Sequence, residues 1–153
     1  CGTGLGAQFY RPFAKKLTGV DLSPKMLEKA AGKKIYDELV VFDLLQDWTF
    51  QQAFDLVYCS DVLVYFGDLG RIFSSLSTHL SDEGIFVFSV ESIEENNTDY
   101  RLNSSGRYSH SLEYIKKCLS RYGMQFMEGS KTAIRKQSGN NVDGSLVLAK
   151  KLL

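Results

Sequence analysis

The chain opens with Cys1-Gly2-Thr3-Gly4-Leu5-Gly6, and this glycine-rich stretch decides how the rest of the sequence is interpreted. Glycine has no Cβ, so such a loop can turn sharply and bring its backbone close to a ligand. Loops of this kind join a strand to a helix in parallel α/β folds, where the first N–H groups of the helix face an anionic group. A strand is therefore expected before Cys1, in a native chain longer than these 153 residues.

Beyond the loop, the sequence alternates between helix patterns and strand patterns. Apolar residues at three- and four-residue spacings predict helices, and Ser23-Pro24 and Ser111 are typical of helix starts. The predicted helices span Ala7–Leu17, Ser23–Gly32, Leu69–Leu80 and Ser111–Gly123. Short apolar runs predict strands, three of which are expected to be buried on both faces. These strands span Thr18–Leu22, Leu39–Phe42, Phe54–Cys59 and Gly84–Val90. The last three are those expected to be buried.

The pattern changes after Glu91. The polar stretch Glu94–Ser109 predicts a long surface loop. Two last strands, Met124–Arg135 and Ser145–Lys150, are separated by the turn-rich segment Ser138–Gly144, which predicts an antiparallel hairpin. The alternation predicts an α/β fold, a doubly wound, mostly parallel Rossmann-like sheet with a C-terminal antiparallel hairpin. One domain is expected over residues 1–153.

The composition is that of an ordinary folded domain, with 44% apolar, 12% aromatic and 24% charged residues. It excludes a disordered, a collagen-like and a coiled-coil chain. The formal net charge of +0 gives no general attraction to nucleic acid or to anionic lipid. The three cysteines, Cys1, Cys59 and Cys118, lack the spacing of a metal site and indicate reduced, mostly buried thiols. A cytoplasmic location and no metal are therefore expected.

Polar residues follow the predicted strands at the sheet edge where ligands of parallel sheets bind. Asp21 ends one strand, and its carboxylate can accept hydrogen bonds from both hydroxyls of a ribose. Asp43 ends the next strand and can accept from an exocyclic amine such as that of adenine. Ser60 follows a third strand.

These residues resemble the motifs of class I S-adenosylmethionine-dependent methyltransferases along essentially the whole chain. Cys1–Gly4 is similar to the second half of that family's glycine loop, which implies that Gly2 and Gly4 approach the cofactor. The resemblance also implies that Asp21 and Leu22 bind the ribose side, Asp43 and Leu44 the adenine, and Ser60 the methionine part. The matching segments are Gly19–Ser23, Phe42–Leu44, Phe54–Val57, Ser60–Leu63 and Leu80–Gly84, where Asp82-Glu83 replaces the Pro-Gly usual in the family.

Further features resemble a bacterial subgroup whose methyltransferase domain often follows tetratricopeptide repeats. The segments that carry this likeness are Asp61–Leu69 and Gly106–Ser111. It implies that such repeats precede the domain in the native chain. The implied reaction transfers a methyl group to a small-molecule or protein acceptor, with nucleic acid and membrane disfavoured by the neutral charge. The sequence predicts no oligomeric state.

Methyl transfer needs alignment of the acceptor, and it needs a base only if the acceptor keeps its proton. His110, where the polar loop meets a helix, is the candidate base. The alternative is a histidine that only fixes the loop. His79 is expected to be a C-terminal helix residue. The aromatic and cationic residues Tyr65, Tyr100, Tyr108 and Arg107 are candidates for a substrate pocket or for core and surface positions.

Two other functions fit part of the pattern. Gly2-Thr3-Gly4-Leu5-Gly6-Ala7 also matches the dinucleotide pattern of an NAD(P)-dependent oxidoreductase. In such an oxidoreductase, however, Asp43 and the final hairpin would have no role. A non-catalytic scaffold that binds the cofactor is the third possibility, and retention of the strand-end residues favours cofactor binding without proving catalysis.

Overall fold

A computed structural model describes residues 1–93, 98–137 and 139–153. These residues form two compact units, Cys1–Trp48 and Thr49–Leu153, each described here by itself. Both units contain strands and helices, and the predicted α/β class is confirmed. The helices are α1 to α4, spanning Ala7–Tyr10, Pro24–Ala31, Gly70–His79 and Leu112–Arg121. The strands are β1 to β8, spanning Thr18–Asp21, Glu38–Val41, Phe54–Cys59, Leu80–Ile93, Tyr100–Leu102, Tyr108–Ser111, Met124–Gln137 and Asn140–Lys151.

The first unit contains a two-stranded parallel sheet with helix α2 between its strands. β1 and β2 pair from Thr18↔Glu38 to Asp21↔Val41, so their carboxyl ends lie at the same edge. Helix α2 begins at Pro24, because the fixed φ of proline suits the first helical position. It buries Leu27 and Ala30.

The helix predicted over Ala7–Leu17 is shorter in the structure. Helix α1 ends at Tyr10, and a 3-10 turn follows over Arg11–Phe13. Pro12 has no N–H to donate and its ring crowds the preceding turn, so a longer helix is not supported. The side chain of Phe13 is 90% exposed.

The second unit is organised around β4. This strand pairs in parallel with β3 and β6 and antiparallel with β8. β5 and β7 extend the sheet beyond β6 and β8. β7 and β8 pair antiparallel from Met124↔Lys151 to Gln137↔Asn140. The second unit is therefore built on a mixed sheet.

The core of the second unit lies between β4 and helices α3 and α4. Phe86 and Phe88 of β4 stack with ring centroids 4.4 Å apart, and Phe73 of α3 meets both edge-on. Helix α4 contributes Ile115 and Leu119, each fully buried.

Other sequence expectations are corrected by the structure. The polar stretch predicted as one loop holds β5 and β6, which pair antiparallel, while residues 94–97 of that stretch and residue 138 of the predicted turn lie outside the described residues. β2 and β3 are not buried on both faces, since Val41 is 55% and Leu56 49% exposed. Within the described residues β3 pairs only with β4, and β1 and β2 pair only with each other. Of the cysteines, Cys118 is buried, Cys59 is half-buried and Cys1 is exposed.

Candidate functional site

The glycine loop is held at the carboxyl end of β1. Gly2 and Gly4 have φ angles of +56° and +76°, a region that favours glycine. The N–H of Gly4 donates to the carbonyl of Cys1 at 3.1 Å. Helix α1 has only four residues, so the positive dipole end that it offers at its start is small.

Asp21 joins this loop to the strand. Its Oδ2 accepts a hydrogen bond from the N–H of Gly2 at 2.7 Å, and its Oδ1 accepts from the N–H of Ser23 at 2.9 Å. Burial alone would raise the pKa of Asp21, but the hydrogen bonds from Ser23 and Gly2 outweigh it and hold the pKa below its ordinary 3.8. Asp21 is therefore an anion at neutral pH. Its Oδ1 has a second lone pair for a ligand hydroxyl, whereas its Oδ2 also accepts from the amino group of Cys1 at 3.3 Å.

The other candidates of the first unit follow the same two strands. Leu22, directly after β1, is 67% exposed. The N–H of Phe42 donates to the carbonyl of Asp21 at 3.0 Å, which ties the end of β2 to the end of β1. Asp43 comes next, and its Oδ1 accepts from the N–H of Leu45 at 2.9 Å. The carbonyl of Leu44 accepts from the indole N–H of Trp48.

In the second unit, Ser60 is exposed just after β3. The next residue, Asp61, has a φ of +54°, and its N–H donates to Oγ of the buried Ser89 at 2.8 Å. This contact joins the end of β3 to β4.

An ion cluster at this end of β3 and β4 was missed by the sequence reasoning. Arg135 of β7 donates from Nη1 to Asp61 Oδ1 at 2.8 Å and from Nη2 to Glu91 Oε1 at 2.9 Å. Burial alone would lower the pKa of Arg135, but the two carboxylates outweigh it and raise the pKa. No local pattern signals the cluster, because Arg135 lies 74 positions from Asp61 and 44 from Glu91.

His110 lies in β6 and is only 1% exposed. Its Nε2 donates to the carbonyl of Gly67 at 3.0 Å, and its ring is stacked with that of Tyr114. Because Nε2 carries the proton, Nδ1 is the unprotonated nitrogen, and it has no hydrogen-bond partner within the described part of the chain. Burial lowers the pKa of His110 below its ordinary 6.5, although the carbonyls of Gly67 and Phe66 and the charge of Glu91 oppose this.

The remaining candidates lie near His110 or on α3. The guanidinium of Arg107 sits 5.6 Å from the ring centroid of Tyr65, which is 55% exposed. The rings of Tyr100 and Tyr108 are 6.1 Å apart. His79 is the last residue of α3, and its Nδ1 lies 2.7 Å from the carbonyl of Ser75.

Comparison with known proteins decides the family. The sequence model of a family described as a methyltransferase domain matches residues 1–88, more than half of the chain. The chain belongs to this family. The resemblance to class I S-adenosylmethionine-dependent methyltransferases, stated from the sequence, is confirmed.

Individual relatives of this methyltransferase domain are distant. The malonyl-[acyl-carrier protein] O-methyltransferase of Serratia marcescens is 28% identical over 90 residues, which is 59% of this chain and 35% of that protein. The domain thus matches about a third of that relative's length.

Several solved structures share the fold of this methyltransferase domain. A S-adenosylmethionine-dependent methyltransferase from Clostridium acetobutylicum aligns with a TM-score of 0.77 at 20% identity, over 100% of this chain and 82% of that one. The N-methyltransferase NodS from Bradyrhizobium japonicum, in complex with S-adenosyl-L-homocysteine, aligns with a TM-score of 0.74 at 20% identity, over 97% and 73% of the two chains.

Two kinds of feature are absent from the described residues. No helix among them has the length and hydrophobicity to cross a bilayer. Within the same ranges, no three His, Cys, Asp or Glu side chains are grouped so that they could hold a metal ion.

Proposed function

We propose that residues 1–153 act as one methyltransferase domain that transfers the methyl group of S-adenosylmethionine to a nucleophile. The observation that supports it best is the hydrogen bond between Gly2 and Asp21, in a chain that belongs to a methyltransferase family. It fixes a glycine loop against an ionised carboxylate at the end of a parallel strand. A cofactor with both an anionic end and a ribose needs such a pair.

The residues of the first unit fit the nucleoside part of this cofactor. Asp21 accepts hydrogen bonds from the ribose hydroxyls, since it is ionised and its Oδ1 keeps a lone pair beyond the bond from Ser23. Asp43 accepts from the adenine amine, with Leu22 and Leu44 beside the two rings. Gly2 and Gly4 allow the backbone to approach the ligand. Ser60 of the second unit is assigned to the methionine part.

When bound, S-adenosylmethionine supplies an electrophilic methyl group on a sulfonium leaving group. The chain's own contribution is to bind the acceptor in line with the methyl–sulfur bond and to exclude water. We assign His110 as the residue that accepts a proton from an acceptor that carries one. Its unpartnered, unprotonated Nδ1 supports this role.

Titration calorimetry with S-adenosylhomocysteine and with NAD tests the cofactor. We expect S-adenosylhomocysteine to bind far more tightly, because Asp43 has a role in ligand binding, as acceptor from the adenine amine, only if the site is that of a methyltransferase. Selective binding of NAD would contradict the methyltransferase and favour the oxidoreductase.

Substitution of His110 by Ala tests the base. Turnover should fall while the dissociation constant of S-adenosylhomocysteine stays the same. Normal turnover per folded molecule together with a lower melting temperature would assign His110 a structural role instead.

The net charge bears on the class of methyl acceptor. A formal net charge of +0 supports a small molecule or a protein over nucleic acid. A cytoplasmic location and preceding tetratricopeptide repeats remain predictions.

A further inference from the structure

The ion cluster of Asp61, Glu91 and Arg135 carries an excess of negative charge. Two carboxylates face one guanidinium, at 2.8 and 2.9 Å, so the cluster has a formal charge of −1. The side chains of Arg135 and Glu91 are 12% and 10% exposed. Charges buried to this degree are weakly screened by water, so they interact strongly with any ligand that reaches them.

One oxygen of the cluster is left for a ligand. Glu91 is 7% exposed, and within the described residues its Oε2 is buried with no hydrogen-bond partner. Buried carboxylate oxygens nearly always have a donor, because an unpaired one loses its hydration without compensation. A carboxylate accepts only, so the missing partner is a hydrogen-bond donor.

The cluster lies where an acceptor is expected. Asp61 directly follows Ser60, which we assign to the methionine part of the cofactor. β3 and β4 are parallel and pair up to Cys59↔Phe88, so Asp61 and Glu91 both come at the carboxyl ends of this pairing. Ligands of parallel sheets bind outside those ends.

The negative charge of the ion cluster disfavours a carboxylic acid as the methyl acceptor. Nε of Arg135 is also buried without a partner among the described residues, and alone it would suit a carboxylate. Two carboxylates already neutralise that guanidinium, however, so a third one would meet net repulsion.

We propose that the methyl acceptor is an amine whose nitrogen donates a hydrogen bond to Oε2 of Glu91. This inference rests on the proposed methyltransferase function. The lone pair of the uncharged amine forms a bond to the methyl carbon while the carbon–sulfur bond breaks, and the electron pair stays on sulfur. The positive charge thereby passes from sulfur to nitrogen, and the N-methylated ammonium product then releases its proton to His110, the base assigned above.

Glu91 acts on the step in which this charge appears. A fixed carboxylate beside the nitrogen stabilises the positive charge that develops there in the transition state. The methylation of a carboxylate would instead remove negative charge, and the cluster would offer it no stabilisation.

The test uses S-adenosylmethionine with a tritiated methyl group and a panel of amines, alcohols and carboxylic acids on matched carbon skeletons. We expect methyl transfer to amines. Glu91→Gln should lower kcat/KM for the amine about ten- to a hundredfold, the effect of losing a hydrogen bond to a charged group. The affinity for S-adenosylhomocysteine, measured by calorimetry, should not change.

Two further variants complete the experiment. Asp61→Asn removes the excess negative charge, and asparagine tolerates the positive φ of that position. This variant should also lower kcat/KM for the amine. Glu113→Gln is the matched control, since it is the same substitution on the surface of α4, where the side chain is 77% exposed. It should change neither kcat/KM for the amine nor the affinity for S-adenosylhomocysteine.

Several outcomes would overturn the acceptor class. They are methylation of carboxylic acids or alcohols only, transfer to none of the amines, and an unchanged kcat/KM in Glu91→Gln. Weaker binding of S-adenosylhomocysteine by Glu91→Gln would assign Glu91 to the cofactor and would also overturn it. Failure of the unsubstituted chain to bind S-adenosylhomocysteine would contradict the proposed function itself.

Discussion

Among single residues, Asp21 combines two roles. Its carboxylate fixes the glycine loop through the N–H of Gly2 and caps the following turn through the N–H of Ser23. The same carboxylate is the one assigned to the ribose. Removing the side chain therefore loosens the loop and deletes the ribose acceptor at once.

We predict that Asp21→Ala weakens the binding of S-adenosylhomocysteine about ten- to a hundredfold, since a hydrogen bond to a charged group contributes about 1.5–3 kcal/mol. Titration calorimetry measures the change. Asp82→Ala is the matched control, because that side chain is 77% exposed. An unchanged dissociation constant in Asp21→Ala would reduce Asp21 to a strand-end residue.

The lowered pKa of His110 predicts how the stability of the folded chain depends on pH. Because burial holds its pKa below 6.5 in the folded chain, the unfolded chain binds the proton more readily. The contribution of neutral His110 is fully present above about pH 6.5 and is lost as the pH falls from there through the folded pKa. The melting temperature of the unsubstituted chain should thus fall more steeply below about pH 6.5 than that of His110→Asn. Parallel curves for the two proteins would show that His110 does not titrate differently on unfolding.

At the scale of elements, an aromatic contact joins β4 to α3 in the second unit. Phe73 and Phe88 are fully buried, and Phe86 is 1% exposed. Rings that pack edge-on and stacked add a directional attraction to the burial of apolar surface. This contact fixes the face of β4 against the helix.

Phe88→Ala should lower the free energy of unfolding by about 3–5 kcal/mol, because the cavity cannot be filled by neighbours that are themselves rings. Urea unfolding measures it. Phe13→Ala, at a site that is 90% exposed, should change it by less than about 0.5 kcal/mol. Similar losses in both variants would mean that the three rings do not form the core.

The elements also show what the sequence can predict. β3 has the predicted bounds Phe54–Cys59, and α4 begins after Ser111, whose Oγ accepts from the N–H of Tyr114, because these signals are local. β5 and β6 were missed because their residues are polar, and their pairing with each other and with β4 depends on residues distant in sequence. The glycine loop and Asp21 could be found from spacing, whereas the contacts of Arg135 could not.

For the whole molecule, the pairing of strands predicts where the backbone is most protected. Val87 of β4 pairs with Tyr58 on one side and with Leu148 on the other. In the described residues, Gly19 of β1 pairs with Leu39 alone. A two-stranded sheet is marginal by itself, and amides paired on both sides open least often.

We therefore expect the amides of β4 to exchange with deuterium most slowly and those of β1 and β2 much faster. Hydrogen exchange followed by mass spectrometry compares the peptides that contain them. Equal protection of β1 and β4 would contradict this order.

The pairing of β4 with β8 also fixes an order of events during synthesis. Glu91 pairs with Gly144 and Ile85 with Lys150, so the ladder joins segments that leave the ribosome far apart in time. Until β8 has been made, β4 has one open edge, and the sheet that holds Phe86 and Phe88 is incomplete. Contacts between distant segments slow folding, and apolar strands that are not yet paired favour aggregation. The nascent chain is thus most vulnerable between the emergence of β4 and that of β8, the interval in which a chaperone would protect it.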